Sequence, residues 1–187
     1  MKKLLLVAVM VLTSAMTFAQ QKEGTLTIQP KVGLNIASLT DFDDSDPRFG
    51  VVAGAEFMYQ ATDMVGLSFG ALYSMQGAKY DKATTKLDYI NVPILANVYV
   101  APGFAVKLGL QPGFNVNSKA KAKSNGVAVE ADMDAKTVDL SIPIGLSYEF
   151  SNFVIDGRYN WGLTKVAKDS DCKNSVFQIT LGYKLPL

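Results

Sequence analysis

The chain has 187 residues, with 18 basic and 17 acidic side chains, one cysteine and no histidine. That near-neutral balance lacks the basic excess that meets nucleic acid, and the lack of histidine removes the usual general base together with the commonest metal ligand. The single cysteine, Cys172, cannot close an intrachain disulfide, so an exported chain of this sequence must hold together by other means.

The N terminus, MKKLLLVAVMVLTSAMTFAQ, sets Lys2 and Lys3 before an apolar run over 4–12, then small and polar residues closing on Thr17, Phe18 and Ala19. This is the pattern of a cleavable signal peptide. Its apolar run is too short for a spanning helix, which needs roughly 20 apolar residues, and no later stretch approaches that length. Cleavage after Ala19 is predicted, which assigns 1–19 to the signal peptide and 20–187 to a single mature domain. Gln20 would then be the first mature residue, with no cysteine there to accept a lipid. Loss of Lys2 and Lys3 leaves 16 basic against 17 acidic residues, a net charge of −1.

From residue 25 onward the dominant signal is period-two alternation, which in a strand sends successive side chains to opposite faces. It recurs about eight times. Residues 25–39 place Leu26, Ile28, Val32, Leu34 and Ile36 against Thr27, Gln29, Lys31, Gly33 and Asn35. Residues 49–60 place Phe49, Val51, Ala53, Phe57 and Tyr59 against Gly50, Gly54, Glu56 and Gln60. The third segment sets Val65, Leu67, Phe69 and Tyr73 against Gly66, Ser68, Gly70 and Ser74. The fourth, 87–100, is the least clean, because Leu87, Tyr89 and Leu95 share a face with Asn91 and Asn97. The fifth opposes Phe104, Val106, Leu108 and Phe114 to Lys107, Gly109 and Gln111, and the sixth opposes Val138, Ile144 and Tyr148 to Asp139, Ser147 and Glu149. The last two set Phe153, Ile155, Tyr159 and Trp161 against Asp156, Arg158 and Asn160, then Phe177, Ile179 and Tyr183 against Gln178, Thr180 and Lys184.

Short connections at 61–63, 101–103 and 151–152 alternate with long polar ones at 41–48, 78–86, 118–136 and 165–174. Outer-membrane barrels have short periplasmic turns and long external loops. Phe57, Tyr59, Phe104, Tyr148, Phe153 and Tyr183 stand beside the short turns, and Phe49, Tyr73, Phe114, Trp161 and Phe177 near the long loops, all on the apolar face. Two such girdles bounding an aliphatic band fit amphipathic rings at two membrane interfaces. A soluble ligand-carrying barrel would have to turn those rings inward and carry its charges outside. Eight strands leave an interior that ordinary side chains fill, which suits the glycine-rich polar face. The expected fold is therefore all-β: an eight-stranded antiparallel transmembrane β-barrel in the outer membrane, preceded by a cleavable signal peptide. Pro30, Pro93, Pro112 and Pro143 each give up a ladder hydrogen bond, and local bulges are expected there.

The segments PKVGLNIASL, YINVPILANVYV and SIPIGLSYEF resemble strands of the PorT-like outer-membrane β-barrel family common in Bacteroidetes, and the resemblance covers nearly the whole mature chain. It implies the fold and the location. Such barrels usually end on an aromatic residue read by the assembly machinery, whereas this chain ends on Leu187.

No catalytic, cofactor-binding or metal-binding residue is predicted. Asp139, Glu149 and Asp156 could in principle support carboxylate-only catalysis, but on regular strands they read as a structural polar core. The loop with Asp41, Asp43, Asp44 and Asp46 offers oxygen ligands, yet the EF-hand spacing fails, with Asp46 where Gly is needed and Val52 where Glu is needed. It reads as a solvated loop, able to bridge divalent cations among lipopolysaccharide phosphates. Cys172 reads as chance occupancy of a variable loop, with a surface thiol as the alternative. In the third external loop, an Asn125-Gly126 turn sets Lys121 opposite Glu130 and Lys119 opposite Asp132, which demands a bulge before Val138 to restore parity. Strand parity sends Lys31, Lys107, Arg158 and Lys184 inward with Glu56, Asp139, Glu149 and Asp156, and a closed charge network plugging the lumen is predicted. Gly50, Gly54, Gly66 and Gly70 are where a water path could open instead. The expected role is a non-enzymatic monomer that stabilises the envelope or presents loops, in contact with outer-membrane lipids, lipopolysaccharide and the barrel assembly machinery. The alternatives are a narrow passive channel and, through the family resemblance, an accessory to secretion or motility.

Overall fold

The computed structural model describes residues 22–40, 46–80, 83–124, 127–133, 135–166 and 171–187. The expected signal peptide, residues 1–19, lies outside them, as do Asp41, Asp43 and Asp44 of the acidic loop. The strands are β1 Leu26–Leu39, β2 Asp46–Gln60, β3 Val65–Tyr80, β4 Ala83–Asn91, β5 Ile94–Ala101, β6 Phe104–Ser124, β7 Val127–Asp132, β8 Val138–Phe150, β9 Phe153–Lys165, β10 Lys173–Tyr183 and β11 Leu185–Pro186. All pairings are antiparallel, and β1 pairs β10 from Lys31↔Gly182 to Leu39↔Asn174, so the sheet closes on itself. β4 with β5 and β10 with β11 are single staves interrupted at Val92-Pro93 and at Lys184, and β7 pairs only β6 above the wall. Eight staves therefore make the barrel. Closure removes the open edges that would otherwise expose unpaired backbone.

The burial pattern is inverted relative to a water-soluble protein. Arg158 and Lys107 are each 1% exposed, whereas Leu34 and Phe49 are 60% and 66% exposed. Alternation drives this sorting along the staves, since a closed sheet has one concave and one convex face, although apolar side chains such as Val52, Leu72, Leu95 and Val154 also face inward. The apolar side chains on the convex face form a continuous belt, which water would not stabilise and hydrocarbon does. β4 and β5 resolve the weakest sequence signal in the same sense, with Leu87, Tyr89, Asn91, Leu95 and Asn97 inward and Ile90, Ile94 and Val98 outward.

Bulges at all four strand prolines do not occur. Only Pro93 breaks its stave, and there the Val92 amide donates to Pro112 O at 2.8 Å while Pro93 O accepts from Gly70 N at 3.2 Å. The register stays continuous through Pro30 and Pro112, and opposite Pro143 the ladder lapses at Gly109 and Leu110 without changing register. A proline whose missing N–H falls on a lapsed or widely spaced ladder position requires no extra residue.

The staves outrun the apolar belt at the long-loop end. β6 continues to Ser124 and pairs β4 on one side and β7 on the other, with Lys121↔Glu130, Lys119↔Asp132 and Ser124↔Val127, the register that an Asn125-Gly126 turn predicts. Lower down, Phe114 pairs Val138, so one extra residue sits between Asp132 and Val138, where parity requires it. It is absorbed where the chain leaves β6, as Lys136 N donates to Val166 O at 2.8 Å and Asn115 N donates to Thr137 O at 2.8 Å. At the same end Leu39, Ala78, Leu87, Tyr89, Val166 and Cys172 form a small apolar cluster over the lumen. Cys172 is 6% exposed and belongs to that cluster, which corrects the surface-thiol alternative, because the side chain packs among apolar neighbours.

Candidate functional site

Among the described residues, buried charged and polar side chains concentrate in the lumen. At mid-height, β1, β2, β6 and β9 bring five charged side chains together. Lys31 Nζ donates to Glu56 Oε2 at 2.5 Å and to Asp156 Oδ2 at 3.5 Å, and Lys107 Nζ donates to the same Asp156 oxygen. Arg158 donates from Nε to Asp156 Oδ1 at 2.9 Å and from Nη2 to Asp156 Oδ2 at 2.8 Å and Glu56 Oε1 at 2.9 Å. All five are 4% exposed or less. Charged groups so far from water persist only when paired and hydrogen-bonded, and the Arg fork meets both carboxylates. Glycines across the wall make the room: a Cβ at Gly145 would lie 2.7 Å from Arg158 Cβ, and one at Gly70 would lie 2.9 Å from Glu56 Cγ.

Toward the short turns, Glu149 is held between Lys184 Nζ at 2.5 Å and Tyr99 Oη at 2.7 Å. Toward the long loops, Asp139 accepts hydrogen bonds from Thr164 Oγ1 and from Asn174 Nδ2, the latter at 3.1 Å, with no cation at ion-pair distance among the described residues. Beside it Arg48 Nη1 lies 3.8 Å from Asp88 Oδ1 and donates to Gln76 O, while Asp88 Oδ2 accepts from Asn117 Nδ2 at 2.8 Å and Tyr73 Oη at 3.1 Å.

The eight predicted charges all point inward, but they do not form one network. Lys31, Glu56, Lys107, Asp156 and Arg158 share the middle layer, Glu149 and Lys184 pair separately below it, and Asp139 stands apart above. Parity sets the face a residue occupies; strand register and tilt set its height, and height decides partners. Arg48, Asp88 and Tyr99 are additions. Arg48 shares the parity of Gly50 and could have been read as inward had the strand been extended upward. Asp88 carried no such signal, because a register shift opposite it, between Asp88 and Tyr89, turns both neighbours inward. Of the glycines at 50, 54, 66 and 70, a Cβ at Gly66 would meet Met58 Sδ at 2.8 Å and one at Gly50 or Gly54 would meet the adjoining strand's backbone at 2.1 Å, so these positions let neighbouring staves approach closely. Among the described residues, no group of three or more acidic or cysteine side chains gathers as a metal site.

On the convex face, Phe57 stacks on Phe69 with centroids 5.4 Å apart, and Phe153 meets Tyr183 edge-on at 5.1 Å, both near the short turns. Tyr59, Phe104 and Tyr148 stand at the same end. At the other end Phe49 and Phe177 flank Ile36, and Tyr73 and Phe114 flank Ile90, with Trp161 55% exposed beside them. The projecting hairpin carries its own ion pair, Lys86 Nζ to Glu130 Oε1 at 2.9 Å, with Lys121 at 3.5 Å. The Lys86 hydrogen bond and charge, aided by Lys121, hold the Glu130 carboxyl below its usual range.

Residues 18–168 match the model of a family described as outer membrane protein β-barrel domain. A search of curated proteins found no relative of this chain. Among solved structures, the fold is similar to that of Ail, the attachment invasion locus protein of Yersinia pestis, at 18% identity and a TM-score of 0.53, covering 88% of this chain and 100% of that one. It is also similar to that of Neisserial surface protein A at 19% identity and a TM-score of 0.56, covering 87% and 100%. Both share the small-barrel fold, and the family match makes the apolar belt a membrane-facing surface, with long loops external as in barrels of this kind. With a closed eight-staved wall, an inverted distribution of polarity and a family match over most of its length, this chain belongs to the outer membrane β-barrel family.

Proposed function

We propose that this protein is a non-enzymatic barrel that serves the outer membrane as a structural and loop-presenting element, with a lumen closed to solute flow. The observation that carries this reading is the mid-lumen layer, where Lys31, Lys107 and Arg158 pair with Glu56 and Asp156 across the bore from four staves. An ion entering would have to displace these pairs in a poorly hydrated space, a barrier of several kcal/mol. The apolar cluster of Leu39, Leu87, Val166 and Cys172 above it supports the same reading. What remains available to partners is the external sheet of β4, β6 and β7 together with lipid and lipopolysaccharide at the aromatic rims, and edge closure favours a monomer. The segments quoted above support a place in the PorT-like branch, with delivery by a signal peptide over 1–19 and insertion by the barrel assembly machinery. The test is conductance of the refolded protein in planar bilayers, with heat-modifiable gel mobility proving that it folded. Silence supports a closed barrel; steady single-channel currents would instead establish a narrow passive channel.

A further inference from the structure

The middle layer is not charge-balanced. Three cations, Lys31, Lys107 and Arg158, face two carboxylates, Glu56 and Asp156, and no other charged group among the described residues lies within ion-pair distance of them. The surplus is localised by geometry. Arg158 commits its Nε–Nη2 edge to Asp156, with Nη2 also reaching Glu56, while Nη1, on the side of the guanidinium away from Asp156, has no protein partner.

The inward residues neighbouring Arg158 on the wall are polar and also carry side-chain atoms without a protein partner. Gln178 pairs directly with Arg158 across β9 and β10, and Asn35 pairs with Gln178 across β1 and β10, so the three lie side by side in one row on the inner wall. Asn160 is the next inward residue after Arg158 on β9. Gln178 Nε2 and Oε1, Asn160 Nδ2 and Oδ1, and Asn35 Oδ1 make no hydrogen bond to the protein, although Gln178, Asn160 and Asn35 are 0%, 2% and 0% exposed. Such orphaned buried groups are uncommon and costly, and a cluster of them around a surplus positive charge calls for a ligand that accepts hydrogen bonds and carries one negative charge. Ordered water would satisfy the amides but would leave the charge uncompensated.

We propose that the barrel interior holds one small monovalent inorganic anion, of chloride size, bound by Arg158 Nη1 and the side-chain amides of Gln178 and Asn160, as an internal counter-ion of the charge layer. It binds a site inside the wall rather than crossing the lumen, so it goes beyond a closed barrel and is tested without conductance. An anion that binds only the folded barrel stabilises it by mass action.

The protein is refolded into detergent micelles separately in sodium chloride and in sodium gluconate at equal ionic strength, over a range of chloride fractions, and unfolded in urea. The expected result is a midpoint that climbs as chloride replaces gluconate, the reverse of the order in which general salt exclusion from the surface would act. Gln178→Glu sets a carboxylate beside Nη1 and should remove the chloride dependence while raising the midpoint in gluconate. Parallel wild-type midpoints in the two salts would overturn the proposal and leave ordered water as the occupant, and that result stands even if Gln178→Glu fails to fold. A Gln178→Glu protein that keeps the full chloride response would overturn it too.

Discussion

Arg158→Ala is the sharpest probe of the lumen. The substitution removes the donor to Asp156 Oδ1 and to Glu56 Oε1, oxygens for which no other side-chain partner is seen, while Lys31 and Lys107 keep the second oxygens. Two buried carboxylate oxygens thus lose their only donor, at roughly 1 to 3 kcal/mol each. Against this, the layer passes from three cations and two carboxylates to two of each, which relieves like-charge repulsion. A net loss of about 3 kcal/mol follows, at the low end of what removing one partner of a buried pair costs. Equilibrium urea unfolding in micelles, followed by tryptophan fluorescence of Trp161 and by heat-modifiable mobility, measures it. Pairing Arg158→Ala with Glu56→Gln should cost less than the sum of the single changes, because the two share a contact. An Arg158→Ala barrel as resistant to urea as wild type would refute the idea that this layer holds the interior together.

Three further outcomes are expected. Tyr99→Phe should destabilise by about 1.5 kcal/mol, since Glu149 loses a charged-acceptor hydrogen bond of 2.7 Å while Lys184 keeps its other oxygen; the same urea assay reads it. Ser151→Gly should stabilise by about 1 kcal/mol, because Ser151 sits at φ 53° at the first position of the two-residue turn between Phe150 and Phe153, where glycine carries no Cβ penalty; unchanged or lower stability would count against this turn geometry. On the external hairpin, Glu130 should titrate below an ordinary glutamate by carboxyl NMR and return toward it in Lys86→Ala. Because its folded value is the depressed one, the contribution of this pair is present at neutral pH and lost as pH falls through that folded value.

Period-two alternation and turn chemistry were enough to establish the number of staves, the face that most strand residues take, Asp88 excepted, and the register of the projecting hairpin. Each of these is a local consequence of strand geometry, turn chemistry and the need to keep charge off a hydrocarbon-facing wall. Lys31, Glu56, Lys107 and Arg158 were legible as inward for that reason. Which inward groups meet was not legible, because partners such as Arg158 and Glu56 stand 102 residues apart and are matched only by the stagger of a closed sheet. The same stagger leaves Asp139 without a cation among the described residues, lifts Arg48 onto Asp88 and packs Cys172 against Leu39, Leu87 and Val166. Prolines told the same story from the backbone: their number was visible in the chain, but only the ladder decided that Pro93 would break a stave while Pro30 and Pro112 stayed in register. Local sequence dictates which way a side chain points along a strand, and closure of the barrel alone dictates at what height it arrives and what it finds there.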